Sequence, residues 1–366
     1  VRITTLELNH FRVPLSRQRL SLTDPKRAEA IEFLAVNLNT DSAIRGFGFT
    51  LAPNCVAAVR SLIEKDLPAL VIGEDPLRTD HLFSRARAQF RNVGFSGLVA
   101  RAYAAIDIAL WDIKAKAANL PLYQLLGGSR SSASVYLSDL AAVGQEPAQT
   151  VVAAKLLVEA GALGVVVEVG GGDVQIDADR VQQIRDGLGE EAWLGIDVHG
   201  RYDLGTALAM AHFYEEDVGI DRYESPLPAN DAMGYRRLAE RMEVLLALGS
   251  TFDDRDDFRR VLEAGDVRVL RPELFRLGGI TPFLKIAALA ESFPVVVTPY
   301  RLPEIGVHLA CGLPNVDAVD YVGWLAPIFL EPLRIEKGKL TPSARPGHGL
   351  ELNPEAVEKF RVSGVP

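Results

Sequence analysis

Residues 164–201, GVVVEVGGGDVQIDADRVQQIRDGLGEEAWLGIDVHGR, set a short apolar run, an amphipathic stretch and a second apolar run in succession. The outer runs, GVVVEVG and WLGIDV, are rich in Val, Leu and Ile without polar alternation, which suits strands buried on both faces. Between them, ADRVQQIRDGL carries apolar residues at helical spacing. That is a βα unit feeding a parallel strand, and the pattern continues in both directions. From Ala133 onward the runs ASVYL, GVVVEVG, WLGIDV, IDRYES, EVLLALG, DVRVLRPEL, PVVVTPY and DAVDYV follow one another. Their starts recur at roughly 25 to 30 residues, the size of a βα unit. Amphipathic segments such as LGTALAMAHFYEE, DDFRRVLEAG and ITPFLKIAALAE separate most of them. Eight such runs predict an α/β fold, a (β/α)8 barrel with its last helices altered. A doubly wound open sheet is the alternative, and no GxGxxG follows the first strand to support it.

Upstream of the barrel pattern the reading changes. Ile3, Leu6, Leu8 and Phe11 alternate with polar residues. Residues 31–38 read as a strand, Thr40-Asp41-Ser42 as a turn, and the chain into Gly46-Phe47-Gly48 as a further strand. Helical spacing then takes over in AAVRSLIEKDLPALVIG (57–73) and VARAYAAIDIALWDIKAKAANL (99–120). The expected organisation is an N-terminal α+β capping domain over 1–128 and a barrel over 129–335. A C-terminal segment, 336–366, is expected to pack back on the cap.

Composition bounds the function. Against 48 Asp and Glu the chain has 39 Lys and Arg, a formal net charge of -9. That balance disfavours a nucleic-acid or anionic-membrane surface, which needs a basic excess. With 48% apolar and 24% charged residues over 366 positions, the chain can bury a large core unaided. Cys55 and Cys311 form no CxxC or zinc spacing, so a reduced, cytoplasmic protein without structural disulfides is expected. No apolar run reaches the length of a membrane span, and VRITTLELNHFRVPL has no signal-peptide core. The remaining classes are an enzyme or a small-molecule binder, with a homo-oligomer the expected assembly.

In a barrel of this kind reacting groups lie where strands end. The run ends give Glu168, followed by Val169 and Gly170-Gly171-Gly172; Asp197-Val198-His199-Gly200-Arg201; Glu224-Ser225-Pro226; Ser250-Thr251; Glu273; and Tyr300-Arg301. Asp197 and Glu224 end successive strands, a spacing that lets two carboxylates converge on a hard cation such as magnesium. The same residues could instead cap helices or pair with Arg201 or Arg222. His199, two residues beyond Asp197, suits general acid or base work near neutral pH, or a plain bond to a backbone carbonyl. Arg17 and Arg19 lie in an N-terminal stretch expected to overhang the barrel mouth. They could grip a substrate carboxylate, or be solvated loop arginines.

Three segments resemble a known family. AAIDIALWDIK (104–114) continuing to PLYQLLGG (121–128), LGGIT (277–281) and PGHGLEL (346–352) are similar to the mandelate racemase and muconate lactonizing branch of the enolase superfamily. The likeness runs over nearly the whole chain. It implies a capping domain, a modified (β/α)7β barrel and an active site between them. It also implies magnesium on three acidic residues at successive strand ends, and a base that removes the proton α to a carboxylate. The resulting charge needs a cation nearby. Asp197 matches the first ligand and Glu224 the second. Asp197-x-His199-Gly200-Arg201 further resembles acid-sugar dehydratases of the galactonate and mannonate type, in which this histidine acts as acid or base.

The departures are as informative. The third ligand position carries Ser250, whose neutral hydroxyl binds magnesium far more weakly than a carboxylate. Asp253, in the acidic run 253–257, is the weaker candidate for a displaced ligand, since such a run suits a helix N-terminus. The family's Lys-x-Lys is replaced by Val166 and Glu168. Tyr300 stands for the usual histidine and Glu273 for its aspartate partner; a phenol of ordinary pKa about 10 is a poor base and a good donor. The resemblance thus implies a hydro-lyase acting on an acid sugar by metal-assisted proton abstraction. Glu168, His199, Tyr300 and Glu273 are its candidate catalytic groups, and Arg17, Arg19, Arg201 and Arg301 its substrate contacts. The alternatives are a racemase, epimerase or cycloisomerase, or a member that only binds an acid sugar.

Overall fold

The computed structural model describes residues 1–20, 27–141 and 146–362, with side chains described over 1–15, 29–138 and 146–362. Strands β1 (Ile3–Leu20), β2 (Arg27–Thr40) and β3 (Arg45–Leu51) form an antiparallel sheet in that order. The Gly97–Ala117 helix packs on it, apolar on most sides because it lies between this sheet and the rest of the chain. The stretch 57–73, expected as one helix, is broken into Val56–Ser61, a widened π turn Leu62–Asp66, and Pro68–Val71. Pro68 has no N–H to continue the ladder, so it can only begin a new helix.

Eight parallel strands follow: β4 (Ala133–Ala141), β5 (Gly164–Glu168), β6 (Trp193–Asp197), β7 (Arg222–Glu224), β8 (Leu245–Leu248), β9 (Val269–Leu270), β10 (Val296–Val297) and β11 (Ala318–Tyr321). Each pairs with the next through β10, and β11 returns to β4. A parallel bridge from Val297 to Val316, at the entry to β11, closes the ring. The open-sheet alternative is therefore set aside. Helical segments follow each of the first seven strands, but among the described residues the next helix after β11 is Pro354–Phe360. The architecture is (β/α)7β. Beyond β11 the chain adds β12 (Lys339–Leu340) antiparallel to β4, then returns to β1, where the Val362 N–H donates to the His10 carbonyl at 3.0 Å. No described helix is long and apolar enough to cross a membrane. Cys55 is exposed and Cys311 buried, both as free thiols.

Buried polar nodes join the three family-like segments. Asp107 accepts from the Thr281 hydroxyl at 2.6 Å and the Thr281 N–H at 2.8 Å, while the Trp111 indole donates to the same hydroxyl at 2.9 Å. Burial outweighs those bonds and pushes the Asp107 carboxyl up to about 7. Asp112 accepts from Phe47 N–H at 2.9 Å, from Lys116 at 2.6 Å and from His348 N–H at 3.1 Å. Two glycines make room for these carboxylates. Gly279 (φ +113) would carry a Cβ 2.5 Å from Asp107 Oδ2, and Gly347 (φ +87) one 2.1 Å from Asp112 Oδ1. Gly279→Ala is expected to lower stability by about 2 kcal/mol, since it meets both the disfavoured φ and the clash. A urea melt with an unchanged midpoint would contradict it.

Candidate active site

Parallel register builds a row of acids. Glu168 pairs with Asp197 across β5 and β6, and Asp197 with Glu224 across β6 and β7. Side chains in register point to one side of a sheet, so the three carboxylates line the same end of the barrel interior. They are 4%, 2% and 2% exposed. The ladder runs one residue further, through Val169 N–H to Asp197 O at 2.9 Å and Val198 N–H to Glu224 O at 3.0 Å. The backbone then turns sharply. His199 (φ 55), Ser225 (φ 43) and Arg301 (φ 47) adopt left-handed conformations just past their strands. Non-glycine residues held this way cost energy and gather where function demands a particular aim.

That turn folds the His199 ring back between two carboxylates. Its Nδ1 lies 3.5 Å from Asp197 Oδ2 and its Nε2 3.7 Å from Glu168 Oε1, with the side chain 21% exposed. The His199 N–H also donates to Asp197 Oδ1 at 2.9 Å. Nε2 is buried and makes no hydrogen bond within the protein. Glu168 is paired with the Arg301 guanidinium, and its carbonyl accepts from Arg180 at 2.8 Å. Tyr300 lies under two guanidiniums, Arg271 at 4.8 Å and Arg301 at 4.9 Å from the ring centre. Burial, reinforced by the Asp197 and Glu168 charges, pushes its phenol well above the ordinary range despite those cations. A phenol held protonated in this way is unsuited to act as a base.

Other expected residues stand apart. Glu273 begins the short Leu274–Leu277 helix and pairs with Arg101 at 3.2 Å and Arg276 at 3.7 Å. It turns toward the capping helix, whereas the charges felt by Tyr300 are those of Arg301, Asp197, Arg271 and Glu168. Arg201 is exposed, its guanidinium donating to the Gly170 carbonyl at 3.2 Å. Ser250 is partly exposed just past β8. Asp253 pairs with Arg276 at 3.0 Å, and Asp254 with Asp257 forms a capping box. Arg17 and Arg19 belong to β1, not to a loop, and their side chains lie outside the described residues.

The interior holds charges that the reading from sequence did not single out. Arg271 donates from one guanidinium nitrogen to Glu224 Oε2 and from the other to Asp320 Oδ2. Ser138 donates to the remaining Asp320 oxygen at 2.5 Å. Arg222 lies 2.5 Å from Glu224 Oε1, so Glu224 realises the pairing with Arg222 weighed from sequence. A signal existed: by strand alternation Arg271 shares a face with buried Val269, and Asp320 with buried Ala318.

Comparisons with known proteins agree with this architecture. Residues 149–356 match the enolase C-terminal domain-like model, and residues 11–127 the mandelate racemase / muconate lactonizing enzyme N-terminal domain. An L-talarate/galactarate dehydratase of Salmonella typhimurium is 28% identical over 94% of this chain and 86% of its own. A D-galactonate dehydratase of Verminephrobacter eiseniae is 31% identical over 89% of this chain and 90% of its own. The crystal structure of L-talarate dehydratase from Polaromonas sp. JS666, complexed with magnesium and L-glucarate, superposes with a TM-score of 0.91. It is 30% identical and covers 99% of this chain and 98% of that one.

Proposed function

The chain belongs to the mandelate racemase / muconate lactonizing enzyme branch of the enolase superfamily, and on that footing we propose that it is a hydro-lyase acting on an acid sugar. One observation carries the reading: a histidine on strained backbone, held between two buried carboxylates where parallel strands end. In the same reading residues 1–128 cap a barrel of 129–335, and 336–366 return to the cap.

Dehydration of an acid sugar removes the proton α to the carboxylate and expels the β-hydroxyl as water, leaving an enol that becomes a 2-keto acid. Glu168, paired with the Arg301 guanidinium, is the group that takes the α proton. His199 gives a proton from Nε2 to the departing hydroxyl, while Asp197 orients the ring through Nδ1. Tyr300 offers an O–H and Arg301 a guanidinium to the ligand's carboxylate, whose charge grows as the α proton leaves.

The family implies magnesium, and a solved relative holds it. The residues at the matching positions of this chain do not fit an octahedral ion. Both oxygens of Glu224 face guanidiniums, and the third position is the neutral hydroxyl of Ser250. Among the described residues no group of three His, Cys, Asp or Glu is arranged to hold a metal. The proton steps above use the chain's own residues.

The test is an acid-sugar library incubated in D2O and read for both 2-keto product and deuterium at the α carbon. A 2-keto product from at least one sugar is expected. Exchange without that product would move the reading to a racemase or epimerase. Ligand-induced thermal stabilisation with neither would make the protein a binder.

A further inference from the structure

Just past the end of β9, Arg271 is 2% exposed, and Asp320 on β11 is fully buried. A guanidinium is planar and permanently charged, and its fork suits two carboxylates at once. Arg271 uses that fork to join β7 to β11, gripping Glu224 on one side and Asp320 on the other. Aromatic faces complete its surroundings, Tyr300 at 4.8 Å and Tyr136 at 5.6 Å. Arg222 approaches the second Glu224 oxygen from below, itself stacked on Tyr136 at 4.4 Å and Trp193 at 4.5 Å. Buried carboxylates are tolerated only when compensated, and here the compensation is covalently part of the chain.

We propose that Arg271 is the resident cation of this barrel. Its guanidinium, clamped between Glu224 and Asp320, neutralises Glu224 at the place that the family resemblance assigns to magnesium, so that a carboxylate ligand facing Arg301 and Tyr300 is taken without a divalent ion at these strand ends. Magnesium would have to displace Arg271 from Glu224 and leave a desolvated guanidinium beside Asp320. Arg271 is a positioning residue in this role: it fixes Glu224 and sets the field at the mouth. The assignment to a carboxylate ligand rests on the proposed function; the exclusion of magnesium does not.

The experiment titrates EDTA-dialysed full chain with magnesium chloride alone, by calorimetry and by thermal melting. No saturable heat is expected, and a melting midpoint moved by less than about 1 °C at about 10 mM magnesium. Saturable binding below about 10 mM would overturn the proposal. Arg271→Met combined with Ser250→Glu frees one Glu224 oxygen and supplies a third carboxylate, and is expected to gain saturable magnesium binding, whereas Ser250→Glu alone is not; a folded double variant that still takes none would overturn the role given to Arg271. Should that variant not fold, the wild-type titration decides alone. Any acid sugar turned over in the library screen is expected to react at the same rate in EDTA, and a rate that vanishes in EDTA and returns with magnesium would overturn the proposal. Because the titration contains no sugar, its outcome is independent of whether the dehydratase reading survives.

Discussion

His199→Asn is expected to lower kcat/KM for an acid sugar by about 100- to 10,000-fold, the usual worth of a positioned general acid or base. Asparagine is chosen because it tolerates the left-handed backbone at this position (φ 55) better than most residues. The turn, the Asp197 bond to the N–H and the strand ends should therefore survive, and thermal melting should move little. What is lost is a ring nitrogen that can carry a proton to a leaving group. Asparagine cannot replace it at any accessible pH. The loss should fall mainly on kcat, because Arg301 and Tyr300, which would hold the ligand, are untouched. Unchanged turnover by a folded His199→Asn protein would reduce His199 to a structural loop residue, and the proposed proton path with it.

Why His199 was legible and Arg271 was not follows from how each meets its neighbours. Val, Leu and Ile runs announce parallel strands, and the residue after each run falls at the barrel mouth by geometry alone. Glu168, Asp197 and Glu224 were found that way, and the register of β5, β6 and β7 aligns them. Arg271 depends on contacts with residues 47 and 49 positions away, on strands that meet it only across the closed interior. In sequence it is a basic residue at a strand end, which reads as surface. Glu273 fails for the opposite reason: Pro272 and the short helix after it carry the side chain toward Arg101 of the capping helix. The stretches most like the family turned out to be fasteners. Asp107, Trp111 and Asp112 hold one helix to the loops at Gly279 and Gly347, far apart in the chain. Such nodes constrain a sequence strongly while saying nothing about its reaction. A matching fold with altered chemical positions is what that separation permits.

Glu304→Gln is expected to stabilise the protein increasingly as pH rises. Glu304 opens the Pro303–Gly312 helix, is buried, and has one carboxyl oxygen without a hydrogen-bond partner. Burial pushes its pKa from 4.5 up to about 8. It borders a cavity of about 380 Å³ with His308, His348, Arg334 and Arg345. None of these neutralises it. Burial, aided by His348, holds His308 down at about 3, so its ring stays neutral while it bonds the His348 carbonyl at 3.0 Å. Arg345 is engaged by Glu331 and Glu351, each at 2.9 Å. In the folded protein Glu304 keeps its proton up to about pH 8, whereas the unfolded chain releases it above 4.5. The folded state therefore binds more protons across that window, and stability falls as pH rises through it. His308 acts in the opposite sense: its contribution is complete above 6.5 and lost as pH falls toward 3. The two slopes oppose each other between 4.5 and 6.5, leaving Glu304 unopposed by His308 from 6.5 to 8. Subtracting the wild-type urea-melt stability from that of Glu304→Gln cancels the His308 contribution throughout. The difference should grow by about 1.4 kcal/mol per pH unit, about 5 kcal/mol in all, and stop growing above pH 8. A difference that stays flat from pH 5 to 9 would mean that Glu304 is already ionised in the fold, and that the cavity provides a partner for its charge.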